Sequence, residues 1–404
     1  MTVTTMQHSI MDHADDPARF RTAVREWLGD VLPGDWREQL AGKPEDAYVA
    51  LQRWWLDERR RAGLVLPSLP RSVGGSGLSI DCQLVLAEES ARAGTPPLEL
   101  AMFMVSLTHV PATLLEWGTP EQQRTYLPGL IAGDVWCQGF SEPGAGSDLA
   151  ALRTRAVRQG DVYVVNGQKI WSSYSRYARY CLLLVRTDSD APKHRGISYL
   201  ILDMETPGVE VRPIRQATGD QEFSEIFLTD VRIPVENLIG PENQGWKVAQ
   251  STLAAERGLL AFERSERQLV HVENHLTRAL DEGADWTRSE DRRGEFMELL
   301  ARMQSVRRMI RSLLRDDAGK AQAKMLPAII KLSSSIVSQD YADFLVRVGD
   351  IEQQFQRQSF VCDGRYPMYD YIYSFGDTIS AGSNEIMRNL IAERRLGLPR
   401  DDRV

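Results

Sequence analysis

Cysteine is scarce in this chain. The four present in 404 residues, Cys82, Cys137, Cys181 and Cys362, are dispersed and lack C-x-x-C spacing. They read as reduced, mostly buried thiols of a cytoplasmic protein. Positive charge is in deficit, 48 basic against 56 acidic residues for a formal charge of −8, which argues against nucleic acid as a partner. No uncharged apolar run approaches the roughly 20 residues that a membrane span needs. The N-terminal stretch MTVTTMQHSIMDHADD is polar and acidic, whereas a signal peptide is basic and then apolar. Internal repeats and low-complexity tracts are absent. Three chemical motifs are missing as well. Gly144-Ala145-Gly146-Ser147 lacks the third glycine of a dinucleotide fingerprint, and there is no Walker loop and no G-x-S-x-G elbow.

What is there suits a globular protein of several domains. The length exceeds one ordinary core, and 43% hydrophobic with 26% charged residues is a soluble composition. Asp16-Pro17 is a helix start, followed by Phe20, Val24, Trp27, Leu28 and Val31 at helical spacing. A second amphipathic helix is expected over 46–62, with Leu51, Trp54 and Trp55 turned to the core. Prolines 67 and 70 and three glycines make 64–77 a loop. Residues 79–93 read as a helix stopped by Gly94, and 98–115 as a further apolar helix. Thr119-Pro120-Glu121-Gln122 is a capping box with proline at the first helical position.

From Trp136 the period changes. Gln159-Gly160-Asp161 and Asn166-Gly167 read as turns bracketing a short strand at 162–165. Strand-like runs follow at 180–186, 196–204, 209–213 and 224–231. Residues 241–245 form a linker. Helical patterns then cover 246–280 without interruption, 295–314, 320–348 and 378–394, enough for a bundle. The division predicted is a helical N-terminal domain over 1–133, a middle β domain over 134–242 and a C-terminal helical bundle over 243–404. His271 and His275 lie four apart on one helix face, a possible metal pair. No third ligand is evident, and two surface histidines are the favoured reading.

Three stretches carry the chemistry. Residues 136–148, WCQGFSEPGAGSD, join an apolar lead-in to a turn in which Pro143 fixes its own φ and pushes Glu142 toward extended geometry. Gly144 and Gly146 permit close approach to a ligand. Residues 166–173 read NGQKIWSS, and the ending 379–399 contains Ser380-Ala381-Gly382-Ser383-Asn384-Glu385-Ile386. In this order the three resemble the acyl-CoA dehydrogenase family, flavin enzymes that introduce an α,β double bond into acyl thioesters. The similarity runs from about Gly63 to Pro399.

The resemblance implies FAD as cofactor and a role for each matching residue. Trp171 lies against the flavin ring, and Ser173, where many relatives carry threonine, hydrogen-bonds near its reactive nitrogen. Ser141 faces the pyrimidine edge, with Gln138, Phe140 and Gly146 on the same wall. Ser383 and Glu385 lie on the cofactor side of the C-terminal motif. Ser147 contacts the thioester, and Arg257, Ala381 and Gly382 belong to its site. Donors aimed at the end of a flavin that gains negative charge on accepting hydride lower the barrier. Many relatives place the catalytic carboxylate just before the glycine of the last motif, where this chain has Ala381. A smaller branch supplies it from the long helix just before an arginine. Leu253-Ala254-Ala255-Glu256-Arg257 fits that pattern, with Glu256 as the base. The backbone N–H of Ala381 remains as donor to the thioester carbonyl.

Two family segments have no counterpart. An R-x-x-F-G segment and a Q-x-x-G-G-x-G segment hold the adenine half of FAD across a subunit contact in relatives. Here 276–289 lacks the first, and 348–367 (VGDIEQQFQRQSFVCDGRYP) lacks the double glycine, with Gln353, Gln354 and Arg357 left unassigned. The expected partners are an acyl-CoA or acyl-carrier-protein thioester, an electron-transferring flavoprotein, and other subunits in a homo-oligomer or a heteromer with a related chain. Two alternatives stay open: an O₂-using oxidase or hydroxylase on the same fold, and a non-catalytic partner subunit.

Overall fold

The structure, a computed structural model, describes residues 10–34, 36–40, 42–255, 258–315, 326–349 and 366–399. Helices α1 (Pro17–Val31), α2 (Glu45–Arg61), α3 (Ile80–Ala93), α4 (Val110–Trp117) and α5 (Pro120–Ala132) precede the strands. These are β1 (Trp136–Gly139), β2 (Arg155–Gln159), β3 (Val162–Ser173), β4 (Tyr180–Arg186), β5 (Ile197–Asp203), β6 (Val209–Pro213) and β7 (Phe223–Pro234). Helices α6 (Gly245–Ala255), α7 (Leu259–Asp281), α8 (Glu290–Leu314), α9 (Leu326–Val348), α10 (Pro367–Ile379) and α11 (Asn384–Arg395) follow. The order is therefore helical, then β, then helical. Two compact units result, one of Met1–Asp12, Val49–Ser79 and Pro96–Glu256, the other of His13–Tyr48, Ile80–Thr95 and Arg257–Val404.

In the first unit the helix ends follow local chemistry. Thr119 accepts from the Gln122 N–H while the Gln122 side chain accepts from the Thr119 N–H, closing the capping box that starts α5. The helix expected over 98–115 is shorter than its apolar pattern. It opens as a π turn at Val105–His109 and becomes α4 only at Val110. Pro111 has no N–H, and its ring would clash with the carbonyl one turn back; the wide turn relieves this.

The seven strands form one sheet in the order β1-β4-β2-β3-β7-β6, with β5 paired to β4. Its core includes Cys137, Tyr163, Val165, Leu183, Leu200 and Ile226, all almost fully buried. The predicted turn at Asn166-Gly167 is not one. β3 runs straight through it for 12 residues, with a register shift between Val165 and Gly167 against β7. The Asn166 amide donates to the Asp230 carboxylate at 2.9 Å and accepts from the Asp230 N–H at 2.9 Å, closing a bulge. At Gly167, φ is +155°, and an added Cβ would meet Thr154 Oγ1 at 2.6 Å, so only glycine fits.

The second unit is the bundle. Phe262, Leu269 and Val272 of α7, Phe296 and Met303 of α8, and Val337 and Phe344 of α9 pack into one core with Leu84 of α3. α1 begins at the Asp16 cap, whose carboxylate accepts from the Ala18 and Arg19 N–H groups. Between α3 and the later helices lies a buried ion network. Glu88 accepts from Arg21 at 2.5 Å and from Arg311 at 2.6 Å, and Glu266 accepts from Arg307.

Two further expectations are corrected in the C-terminal region. The helix predicted to run unbroken over 246–280 is α6 and α7, interrupted where Gly258 takes φ −103° and ψ −114°. Glycine costs about 1 kcal/mol against alanine inside a helix, so continuity is weakest there. The helix predicted over 378–394 is the end of α10 and all of α11. Ala381 and Gly382 between them have φ of +54° and +88°. The start expected at residue 320 lies outside the described residues.

Candidate functional site

The 136–148 stretch leaves β1 and folds into a tight turn in which Glu142 and Ala145 exchange backbone hydrogen bonds at 3.1 and 3.0 Å. Its first acid is structural. The Glu142 carboxylate accepts from the Arg153 and Thr154 N–H groups at 2.7 and 2.8 Å and from the Lys169 ammonium at 2.8 Å. Lys169, fully buried on β3, also donates to the Phe140 carbonyl at 3.1 Å, and the Ile170 N–H donates to the Ser141 carbonyl at 2.9 Å. Thus the turn is bolted to β3 at the two residues just before Trp171. Burial pulls the Lys169 ammonium below the ordinary lysine value, and Glu142 offsets only part of that. For Glu142 burial acts upward, but Lys169 and the N–H donors hold the carboxyl below its usual range. The second acid, Asp148, pairs with Lys193 at 2.7 Å on the surface. The Glu142–Lys169 pair escaped sequence reasoning; its signal was a lysine inside a strand two residues before the tryptophan.

Trp171 does not pack into the core. Its side chain is 55% exposed, its φ is +61°, and it meets Phe223 edge-on at 6.0 Å between ring centroids. Tyr174 is also left-handed, with φ +51°. Such backbone costs of order 1 kcal/mol per residue and persists where the surroundings impose it, commonly at ligand sites. Between them Ser172 is buried opposite Ser224 of β7, and neither hydroxyl has a partner among the described residues. Ser173 is half-buried at the end of β3.

Gln138 on β1 keeps a buried side-chain N–H₂ without a partner among the described residues. Phe140 is buried edge-on against Tyr199 at 5.6 Å. Gly146 and Ser147 are exposed, and open space surrounds the place a Cβ would occupy at Gly146. An exposed indole, an unsatisfied buried donor and an open glycine turn suit a flat, polar-edged group such as a flavin ring. One unit therefore carries Gln138, Phe140, Ser141, Gly146, Ser147, Trp171 and Ser173 on two elements joined by Lys169 and Ile170.

The other unit carries the C-terminal motif. Ser383 caps α11 by accepting from the Ile386 N–H at 3.3 Å. Asn384 accepts from Lys331 at 3.0 Å and Ser335 at 2.8 Å, fixing this turn to α9. Ala381 and Gly382 form the left-handed link before it. Glu385 is exposed in the first turn of α11, and backbone and Ser383 donors hold its carboxyl below the usual range. Glu256 and Arg257 lie outside the described residues, as do Gln353, Gln354, Arg357 and Cys362.

The two histidines are half-buried rather than openly exposed. His271 and His275 sit in the bundle against Tyr341, and the His275 ring nitrogen is 3.1 Å from the Tyr341 hydroxyl. Burial, then neighbouring cations, pulls His271 down to about 3 and His275 to about 4. No cluster of three or more metal-ligating side chains exists among the described residues. The three cysteines among them, Cys82, Cys137 and Cys181, are buried thiols that form no disulfide among the described residues. None of the described helices is long and apolar enough to cross a membrane.

The profile described as "Acyl-CoA dehydrogenase, N-terminal domain" matches residues 15–134, and "Acyl-CoA dehydrogenase, middle domain" matches 137–231. The acyl-CoA dehydrogenase IpdE1 of Mycolicibacterium smegmatis is 35% identical over 95% of this chain and 98% of its own. The chain belongs to the acyl-CoA dehydrogenase family. It is accordingly an oxidoreductase of the CH–CH class, from a family of flavoproteins, and the resemblance read from the three motifs holds. Among solved structures, the Tcur3481-Tcur3483 steroid ACAD superposes with a TM-score of 0.81 at 29% identity, covering 95% of this chain and 98% of that one. The ChsE4-ChsE5 complex from Mycobacterium tuberculosis follows at 0.79 and 31%, covering 95% and 98%. An acyl-CoA dehydrogenase with this helical, β, helical order is the fold expected from sequence.

Proposed function

We propose that this acyl-CoA dehydrogenase binds FAD and desaturates an acyl thioester at the α,β position, with Glu256 as the base. The observation that carries the reading is Trp171, exposed and held in left-handed backbone at the end of a strand braced by Lys169. An apolar ring displayed at such cost is suited to covering a ligand. Gln138, Ser141 and Ser173 would hold the polar edge of the flavin, which when bound supplies the acceptor for the β-hydride. Ser147 and the Ala381 N–H donate to the thioester, the latter to its carbonyl, which acidifies the α-proton. Glu256 takes that proton. The substrate class to test first is a steroid-derived acyl-CoA, because a steroid ACAD shares this fold at 29% identity. An electron-transferring flavoprotein is the proposed electron acceptor.

A second reading concerns assembly. The chain lacks the family's double-glycine segment near residue 350, and two similar structures, Tcur3481-Tcur3483 and ChsE4-ChsE5, each bear the names of two proteins. FAD binding completed by a related partner subunit fits both facts. The test is flavin absorbance per chain, alone and co-expressed with a related subunit, followed by anaerobic titration with butyryl-, octanoyl- and cholyl-CoA. Bleaching of a yellow protein by a thioester supports the reading, and a chain that takes up no FAD in either state overturns it.

A further inference from the structure

We infer that a cavity beside the 63–77 loop binds a phosphate monoester, with Arg60 and Arg71 as its charge partners. The inference stands apart from the flavin reading, since no residue of that site takes part.

The cavity has a volume of about 340 Å³ and lies wholly within the first unit, between the end of α2, the loop and Ile131 of α5. Local turn chemistry builds its walls. Gly63, with φ +72°, ends α2: its N–H donates to the Arg60 carbonyl at 3.1 Å, and the Leu64 N–H donates to the Arg59 carbonyl at 2.8 Å. This cap occupies carbonyls whose negative ends would otherwise repel an anion. The buried Ser76 hydroxyl donates to the Gly63 carbonyl at 2.6 Å and closes the loop on itself. An added Cβ at Gly74, where φ is +86°, would lie 2.5 Å from Ile131 Cδ1. One at Gly75 would lie 2.3 Å from the Leu69 carbonyl oxygen, so both positions need glycine for the loop to press this close. A loop bonded to itself in this way is a preformed wall, and a ligand has little left to order.

The lining selects the ligand. Two guanidinium groups border the cavity and no acidic side chain does, in a chain whose formal charge is −8. Arg60 donates to Asp57 at 2.9 Å on the surface of α2. Arg71 donates its Nε–H to the Ser76 carbonyl at 3.3 Å and forms no ion pair among the described residues. Its terminal N–H groups are therefore left for an anion. A phosphate monoester carries about −1.5 to −2 at pH 7 and can serve both forks, whereas a carboxylate brings a single charge. Met11, Val65 and Ile131 add apolar surface, which suits a short hydrocarbon on the ester. The volume falls at the low end of small-molecule sites, about 300–1,000 Å³.

The test uses the full flavin-loaded chain, with partner subunit if FAD requires it. Butyl phosphate is the probe, followed by ³¹P NMR at low ionic strength, where its resonance is separate from the FAD pyrophosphate. Saturable binding with a Kd of about 1 mM or tighter is expected. Inorganic phosphate, which lacks the apolar part, and butyrate, which lacks the second charge, should each bind at least about threefold more weakly. Arg71→Gln should weaken butyl phosphate about fivefold or more, and Arg60→Gln about threefold. Arg308→Gln, exposed on α8 in the second unit, removes the same charge elsewhere and should leave the Kd unchanged. An equal loss in Arg308→Gln shows a diffuse field and overturns the inference. So does the absence of saturation, unchanged binding in Arg71→Gln, or butyrate binding as tightly as butyl phosphate. Should Arg71→Gln not fold, Arg60→Gln decides alone, and unchanged binding there overturns the inference.

Discussion

The ammonium of Lys169 and the carboxylate of Glu142 meet at 2.8 Å beneath the glycine turn, and the lysine has no exposed surface. This pair joins two motifs that lie 27 residues apart. Removing one member of a buried ion pair strands the other and costs about 3–5 kcal/mol. Lys169→Met should therefore destabilise the fold by several kcal/mol in urea unfolding and loosen the turn, with FAD lost on gel filtration. Lys169→Met with Glu142→Leu should recover part of the stability, because no lone charge remains.

Trp171 should behave in the opposite way. It is more than half exposed and its backbone is left-handed, so replacing it removes strain and little packing. Trp171→Gly should leave unfolding stability unchanged or raise it by about 1 kcal/mol. FAD affinity should fall at least tenfold in fluorescence titration. A large stability loss with unchanged FAD binding would show that the indole serves packing.

The histidine pair predicts a pH dependence. In the folded state His271 and His275 titrate near 3 and 4, below the ordinary value of 6.5. The unfolded chain therefore takes up protons at pH 6.5 that the folded chain refuses. Their stabilising contribution is complete above pH 6.5 and declines as pH falls from there toward 4, by about 1 kcal/mol per group per pH unit. Urea midpoints between pH 7 and 5 should fall in the wild type and flatten in His271→Leu with His275→Phe.

Glu256→Gln should lower single-turnover flavin reduction by about 10²–10⁴ while leaving flavin spectrum and thioester binding largely intact. Activity of the wild type should rise with pH as the carboxylate forms. Introducing glutamate at Ala381 together with Glu256→Gln should restore part of the rate, because the family resemblance implies that a carboxylate at position 381 reaches the same α-carbon. Near-normal reduction in Glu256→Gln would move the search to Glu385.

Where neighbours in sequence decide the conformation, the chain could be read directly. The Asp16 and Thr119 caps, the stop at Gly94 and the strands at 180–186 and 209–213 depend on residues a few positions away. Motif order alone placed the family, because residue types and spacing survive where packing detail does not. What required the tertiary structure are contacts between distant residues. Asn166-Gly167 has the composition of a hairpin turn, yet Asp230, 64 residues on, and Thr154 convert it to a bulge inside a straight strand. His271 and His275 read as surface residues until Tyr341, Trp286 and Phe344 pack against them and half-bury them. Lys169 is an unremarkable strand residue until Glu142 arrives. Local backbone preference is worth tenths of a kcal/mol per residue, and a buried polar pair or a stranded charge is worth several. Wherever the two compete, the distant partner decides.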